Sequence, residues 1–323
     1  MKRVLSGIQA SGTLHIGNYL AMMKPMIDFQ ETSELYCFIA NYHAMTSLTD
    51  GKALALNTIE AATDFLALGI DPDKCCFWVQ SDIPEVNELT WILSCHTPLG
   101  LLERSHSYKD KVAKGLLPNT GLYTYPVLMA ADILLFQSNF VPTGKDQKQH
   151  LEITRDIAIK FNNTYGEVFT IPEPHIPKEF EVIPGIDGQK MSKSYGNTLN
   201  MFDDEKVLKK NIMKIVTDST PVEEPKDPDK CTVFTLYKLF ADKTQIEQMR
   251  NRYLQGGMGY GDAKKELFEL ILNYFAPYRK KREELAASPA EVANILKKGA
   301  LKARESAYKT LDKVKQVVGL TYY

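Results

Sequence analysis

The chain has 323 residues, 44% hydrophobic and 24% charged, with a net charge of −1. That length points to about two domains. No apolar stretch reaches the ~18 residues that cross a bilayer, so no membrane partner is expected. A near-neutral balance excludes a polycationic coat, and any RNA-binding surface has to be local. Cys37, Cys75, Cys76, Cys95 and Cys231 are odd in number and form no C-x-x-C pair. A disulfide framework and a metal site are not expected. A reducing, cytoplasmic location fits, and Met1-Lys2-Arg3 leads into a strand without a signal-peptide core.

Residues 4–8 read as a short buried strand and residues 9–14 as a glycine-bearing loop, after which His15-Ile16-Gly17-Asn18 opens an apolar helix. Strand, glycine turn and helix N-terminus form the usual cradle for nucleotide phosphates. Gly17 lets a base or ribose lie on the backbone. His15 and Asn18 are three apart and share a face; both are uncharged donors suited to phosphate oxygens. A tight turn with a satisfied histidine fits this stretch alone equally well. Gly7, Gly12 and Gly17 are each five apart, so the dinucleotide fingerprint is absent.

Residues 35–40 are continuously apolar and end at Asn41-Tyr42-His43, which predicts a strand buried on both faces. Thr49-Asp50 offers an N-cap; Ala55, Ile59, Ala62 and Leu66 follow at helical spacing, and Gly69 and Pro72 end the helix. Residues 75–80 are a third strand and 85–95 a further helix. Strands alternating with helices predict an α/β domain, a Rossmann-like parallel sheet with helices on both faces. Gln9, Asn41 and His43 then gather along the strand C-terminal edge, where such sheets bind ligands.

Residues 108–119 are polar, hold Lys109, Lys111 and Lys114, and read as a surface loop. A helix follows with Pro126 in its first turn and apolar residues at almost every later position. Asp132 lies within it. An unpaired buried carboxylate costs several kcal/mol on the order given for buried charges, so Asp132 must have a partner, either a structural donor or a ligand N–H. Residues 140–142 are a short strand, and Thr143-Gly144-Lys145-Asp146-Gln147 is another strand-to-helix turn. Residues 171–177, rich in proline, read as a stiff surface excursion.

Residues 185–197 carry Lys190-Met191-Ser192-Lys193-Ser194 between glycines. Such a loop brings two cations and several hydroxyls together and can clamp a triphosphate. It resembles the second signature of class I aminoacyl-tRNA synthetases. His15-Ile16-Gly17-Asn18 resembles the first, with Asn18 in place of its final histidine. Within that class the chain resembles the bacterial-type tryptophanyl-tRNA synthetases, through Gly7-Ile8-Gln9, Gly17-Asn18-Tyr19, residues 124–132 and residues 144–150.

The resemblance implies ATP-dependent activation of L-tryptophan and its transfer to tRNA(Trp) by a homodimer, with Mg²⁺ arriving on the nucleotide. By position it implies His15, Asn18, Lys190 and Lys193 as catalytic residues. Gln9, Ala10, Ser11, Gly17, Asn18, Gly144, Lys145, Asp146, Val182 and residues Lys190, Met191, Ser192, Lys193 and Ser194 would hold ATP. Leu5, His43, Tyr125, Met129, Asp132, Val141 and Gln147 would hold tryptophan, Asp132 receiving the indole N–H. Leu5 stands where the family often has an aromatic. Lys145 stands where an acidic residue is usual and has no assigned chemistry.

Residues 201–288 are expected to form a small helical domain that meets tRNA, after a Rossmann-like catalytic domain over 1–200; residues 289–323 form a last helix expected to fold back on the catalytic domain. Basic runs at 206–214 and 279–282 can meet phosphates, and Ser288-Pro289-Ala290-Glu291 reads as a capping box. The nearest alternative is a tyrosyl-tRNA synthetase, whose phenol site would want two polar partners. A nucleotidyltransferase and a non-catalytic paralogue that only binds tRNA or amino acid are the others.

Overall fold

The computed structural model describes residues 1–10, 12, 14–105, 108–109, 119–142, 148–175 and 182–323. Five strands, β1 (Arg3–Gln9), β2 (Glu34–Ala40), β3 (Cys76–Val79), β4 (Phe140–Pro142) and β5 (Glu173–His175), form one sheet. Their order is β3-β2-β1-β4-β5 and every pairing is parallel. β1 pairs with β2 from Arg3 opposite Glu34 to Gln9 opposite Ala40. The chain runs outward from β1 to β2 and β3, then returns to the other side of β1 with β4. That reversal is a topological switch point, and the crevice at its strand C-termini is where open α/β sheets take ligands.

All four residues of β3, and all of β2 after Glu34, are buried, as a sheet covered on both faces requires. Phe38 stacks on Trp78 with ring centroids 5.4 Å apart, and Leu5, Phe136 and Val141 join the same core. Asp50 caps helix α1 (Gly51–Leu68), accepting from the N–H groups of Lys52 and Ala53, and Gly69 ends it with φ 117°. The helix expected after β3 spans Glu85–Ser94 (α2).

Three expectations need correction. Pro126 does not stand in the first turn. Helix α3 (Thr120–Leu135) begins earlier, because the Asn119 side chain accepts from Leu122 N–H, and Pro126 lies inside it. Of the stretch read as a surface excursion, residues 173–175 are instead strand β5, and 176–177 lie outside the described residues. Pro174 is tolerated there because β5 is an edge strand, where a missing N–H breaks no inner ladder. Ser288 makes no side-chain capping bond; Pro289 at the first position starts the last helix, α4 (Pro289–Val317).

The chain divides into two compact units. The first contains Met1–Gly12, Pro25–Lys178 and Ser288–Tyr323; the second contains Thr13–Lys24 and Glu179–Ala287. This division differs from a boundary at residue 200. The first signature and the lysine–serine loop both fall in the second unit, with the helices that follow. Within the first unit α4 packs on β3. Gly299 there lies against the Phe77 backbone with no space for a Cβ, and Arg304 makes a two-pronged ion pair with Glu85 at 2.8 and 3.0 Å.

Candidate active site

In the first unit the C-terminal ends of β1, β2 and β3 are tied together by side chains. Gln9 Nε2 donates to the His43 carbonyl at 2.8 Å. Asn41 Nδ2 donates to Ser81 Oγ at 2.8 Å, and Asn41 Oδ1 accepts from Ser81 N–H at 3.1 Å. Gln9, Asn41 and His43 therefore gather along one edge as expected. Asp132, on α3, is 2% exposed. Its partners belong to the protein: Gln80 Nε2 lies 3.0 Å from Oδ1 and 2.8 Å from Oδ2, and the His43 ring N–H donates to Oδ2 at 2.8 Å. Burial pushes the Asp132 carboxyl above the usual range, opposed by hydrogen bonding and charge from His43 and then by Gln80. Of the two partners left open for this carboxylate, the structural one is present.

Around this polar centre the walls are apolar or aromatic. Leu5 (2% exposed) and Val141 (5%) are buried in the core against which Met129 packs half-buried. The His43 ring sits edge-on to Tyr125, and the Tyr125 hydroxyl bonds His150 Nε2. Ala10 is fully buried. Gln80 was missed in the sequence. Its signal was its place at the end of a strand that is otherwise wholly apolar.

In the second unit His15 caps the short helix Ile16–Asn18. His15 Nδ1 accepts from Asn18 N–H at 3.2 Å, and Asn18 Oδ1 accepts from His15 N–H at 3.1 Å. Each side chain thus spends its acceptor on the turn and keeps its donor, His15 Nε2–H and Asn18 Nδ2–H, for another partner. Burial first, and the charge of Lys193 second, lower the His15 pKa to about 4. The ring is neutral at physiological pH. A π-helical segment, Tyr19–Met23, follows, of the kind often found at functional positions.

One buried side chain holds the loop at 185–197. Asn197, 2% exposed, accepts from Ser192 N–H at 2.8 Å and donates to the Lys190 carbonyl at 3.1 Å and to Asp187 Oδ1 at 2.8 Å. Gly185 lies so close to Asn197 that no Cβ fits. Met191, 4% exposed, accepts the Gly17 N–H on its sulfur at 3.4 Å, joining loop to signature turn. Lys190, Lys193 and Ser194 are exposed, Ser192 half-buried, and Val182 is 65% exposed.

In the basic run at 279–282 the Arg279 guanidinium donates to the Met201 and Asp203 carbonyls at 2.6 and 2.7 Å. Ser11, Lys111, Lys114, Gly144, Lys145, Asp146 and Gln147 lie outside the described residues.

A family model for tRNA synthetases class I (W and Y) matches residues 1–276. The chain belongs to that family. It is 55% identical over 318 residues to the tryptophan–tRNA ligase of Campylobacter jejuni strain RM1221, covering 98% of this chain and 100% of the relative. The tryptophan–tRNA ligase of Fusobacterium nucleatum is 54% identical over 321 residues, with 99% and 98% covered. A crystal structure of the C. jejuni tryptophanyl-tRNA synthetase, complexed with ADP and tryptophan, superposes with a TM-score of 0.95 at 55% identity, covering 98% and 99%. Within the class I synthetases these matches put the chain in the bacterial tryptophan branch, and the nucleotidyltransferase alternative falls.

Proposed function

We propose that the chain is a tryptophan–tRNA ligase, joining L-tryptophan to ATP as tryptophanyl-adenylate and passing it to tRNA(Trp). The observation that carries this reading is the match, over nearly the whole of both chains, to relatives named for that activity. In the first step the tryptophan carboxylate attacks the α-phosphorus and pyrophosphate leaves. In the second the terminal ribose hydroxyl of the tRNA attacks the acyl carbon and AMP leaves. Neither step needs a protein nucleophile. Positioning and charge stabilisation supply the catalysis.

Asp132 would accept the indole N–H, with Leu5, Tyr125, Met129, Val141 and His43 around the ring and Gln147 on the amino group. Gln9, Ala10, Ser11, Gly17, Gly144, Lys145, Asp146, Val182, Met191, Ser192 and Ser194 would contact ATP. His15 and Asn18 would donate neutral hydrogen bonds to phosphate oxygens. Lys190 and Lys193 would neutralise charge growing on the departing pyrophosphate. Among the described residues no group of three or more His, Cys, Asp or Glu side chains could hold a metal. Mg²⁺, which would neutralise phosphate charge, would arrive on the nucleotide.

We assign the chain to the cytoplasm as a homodimer. Among the described residues no helix is long and apolar enough to cross a membrane. The helices of residues 205–286 would meet the tRNA. The test is ATP–pyrophosphate exchange with each amino acid in turn, followed by charging of tRNA. Exchange is expected with tryptophan; exchange driven by tyrosine, or by none, overturns the reading.

A further inference from the structure

On the reading of Asp132 as the tryptophan-selecting carboxylate, we infer that Gln80 is the positioning residue that makes this selection possible. Gln80 is 0% exposed and uses both ends of its amide. Its Oε1 accepts from the N–H groups of Tyr42 at 3.0 Å and His43 at 3.4 Å. Its Nε2 faces both Asp132 oxygens. One side chain therefore sets the turn after β2 and the carboxylate on α3 together. The amide cannot flip, because two N–H groups meet one end and a carboxylate the other.

A carboxylate has about four acceptor positions. Gln80 and His43 occupy three, two on Oδ2 and one on Oδ1. The position remaining on Oδ1 has a fixed direction and takes only a donor. An amino acid whose side chain brings an N–H there completes the set; one that brings only carbon displaces water without replacing its bond. Gln80 touches no substrate in this scheme. It acts through Asp132 and His43.

The experiment is pyrophosphate exchange with tryptophan, tyrosine and phenylalanine for wild type, Gln80→Leu and Gln80→Glu. In Gln80→Leu the tryptophan kcat/KM is expected to fall at least tenfold, chiefly through KM. The preference over phenylalanine should narrow similarly and the KM for ATP stay in place. Gln80→Glu keeps an acceptor for Tyr42 and His43 but sets an acid against Asp132, and the two share one proton. Only the protonated Glu can donate to Asp132, with His43 as the other titratable group facing the pair. Tryptophan selectivity in Gln80→Glu should therefore recover as pH falls from about 8 to about 6; Gln80→Leu shows no recovery. If Gln80→Leu does not fold, the recovery of Gln80→Glu decides alone. Unchanged selectivity, or loss of tryptophan and ATP affinity alike without recovery, overturns the inference. A wild type lacking tryptophan-dependent exchange overturns the ligase reading and this inference together; a wild type that has it leaves only Gln80 in question.

Discussion

His15 and Asn18 cap each other: the ring Nδ1 takes the Asn18 amide N–H at 3.2 Å, and the Asn18 side-chain oxygen takes the His15 amide N–H at 3.1 Å. The ring must be unprotonated at Nδ1 for this bond, and its pKa of about 4 keeps it so. An unfolded histidine titrates near 6.5. The unfolded state thus binds the extra proton first, and His15 makes folding stability fall as pH drops from about 6.5 toward about 4. Asparagine at this position keeps a capping acceptor without a titrating ring. Denaturation of His15→Asn between pH 7 and about 4 should show a shallower loss of stability than wild type. Identical slopes would mean that the ring titrates in the fold as it does in the unfolded chain.

Lys193 is exposed on the loop that Asn197 and Met191 hold. Its charge is needed most as pyrophosphate departs, and interactions made mainly in the transition state appear in kcat. Lys193→Ala should lower the rate of exchange by about 10²-fold or more, with the KM for tryptophan little changed. Wild-type exchange in this variant would remove Lys193 from the catalytic set.

Asp132→Asn preserves shape but turns one oxygen into a donor. That nitrogen then faces the Gln80 amide or the His43 ring nitrogen, and one buried contact becomes donor against donor. The mismatch should cost about 1–3 kcal/mol, visible as a lower denaturation midpoint. The KM for tryptophan should rise and the gap to phenylalanine and tyrosine should narrow, while the KM for ATP holds. A folded variant with full tryptophan preference would make the carboxylate purely structural.

Gly299→Ala tests the seat of the last helix. An added methyl would occupy the position of the Phe77 carbonyl in β3. β3 is an edge strand, but all four of its residues are buried and paired with β2, so helix α4 has to move. Overpacking of this kind costs about 1–3 kcal/mol, with loss of the Cys76 thiol contact to the Gly299 carbonyl, 3.3 Å in the native fold. Urea unfolding measures it, and an unchanged midpoint would contradict the close approach.

Much of this fold was legible because local pattern and tertiary role agree. The apolar runs at 35–40 and 75–80 read as strands and are buried strands in the fold, and Asp50 and Gly69 mark a helix at both ends. β5 was hidden because Pro174 speaks against a strand everywhere except at an edge, and edge position is a tertiary property. The start of α3 was hidden because Pro126 is a stronger local signal than Asn119. At the site, the two signatures and Asp132 stood out by residue type. Gln80 and Asn197 did not: a lone amide in a sequence carries no sign of what will surround it. Their importance comes from three or four partners that only the folded chain assembles.

The bond between Cys76 and Gly299 spans 223 residues. A ribosome adding about 5–20 residues per second needs roughly 11–45 s to travel between them. Throughout that interval one face of β3 waits without its cover, first while β4 and β5 are still to be made and then with all five strands present. Completion of the first unit is therefore a late event in synthesis. Chains truncated before residue 289 should be the ones that chaperones retain and proteases clear.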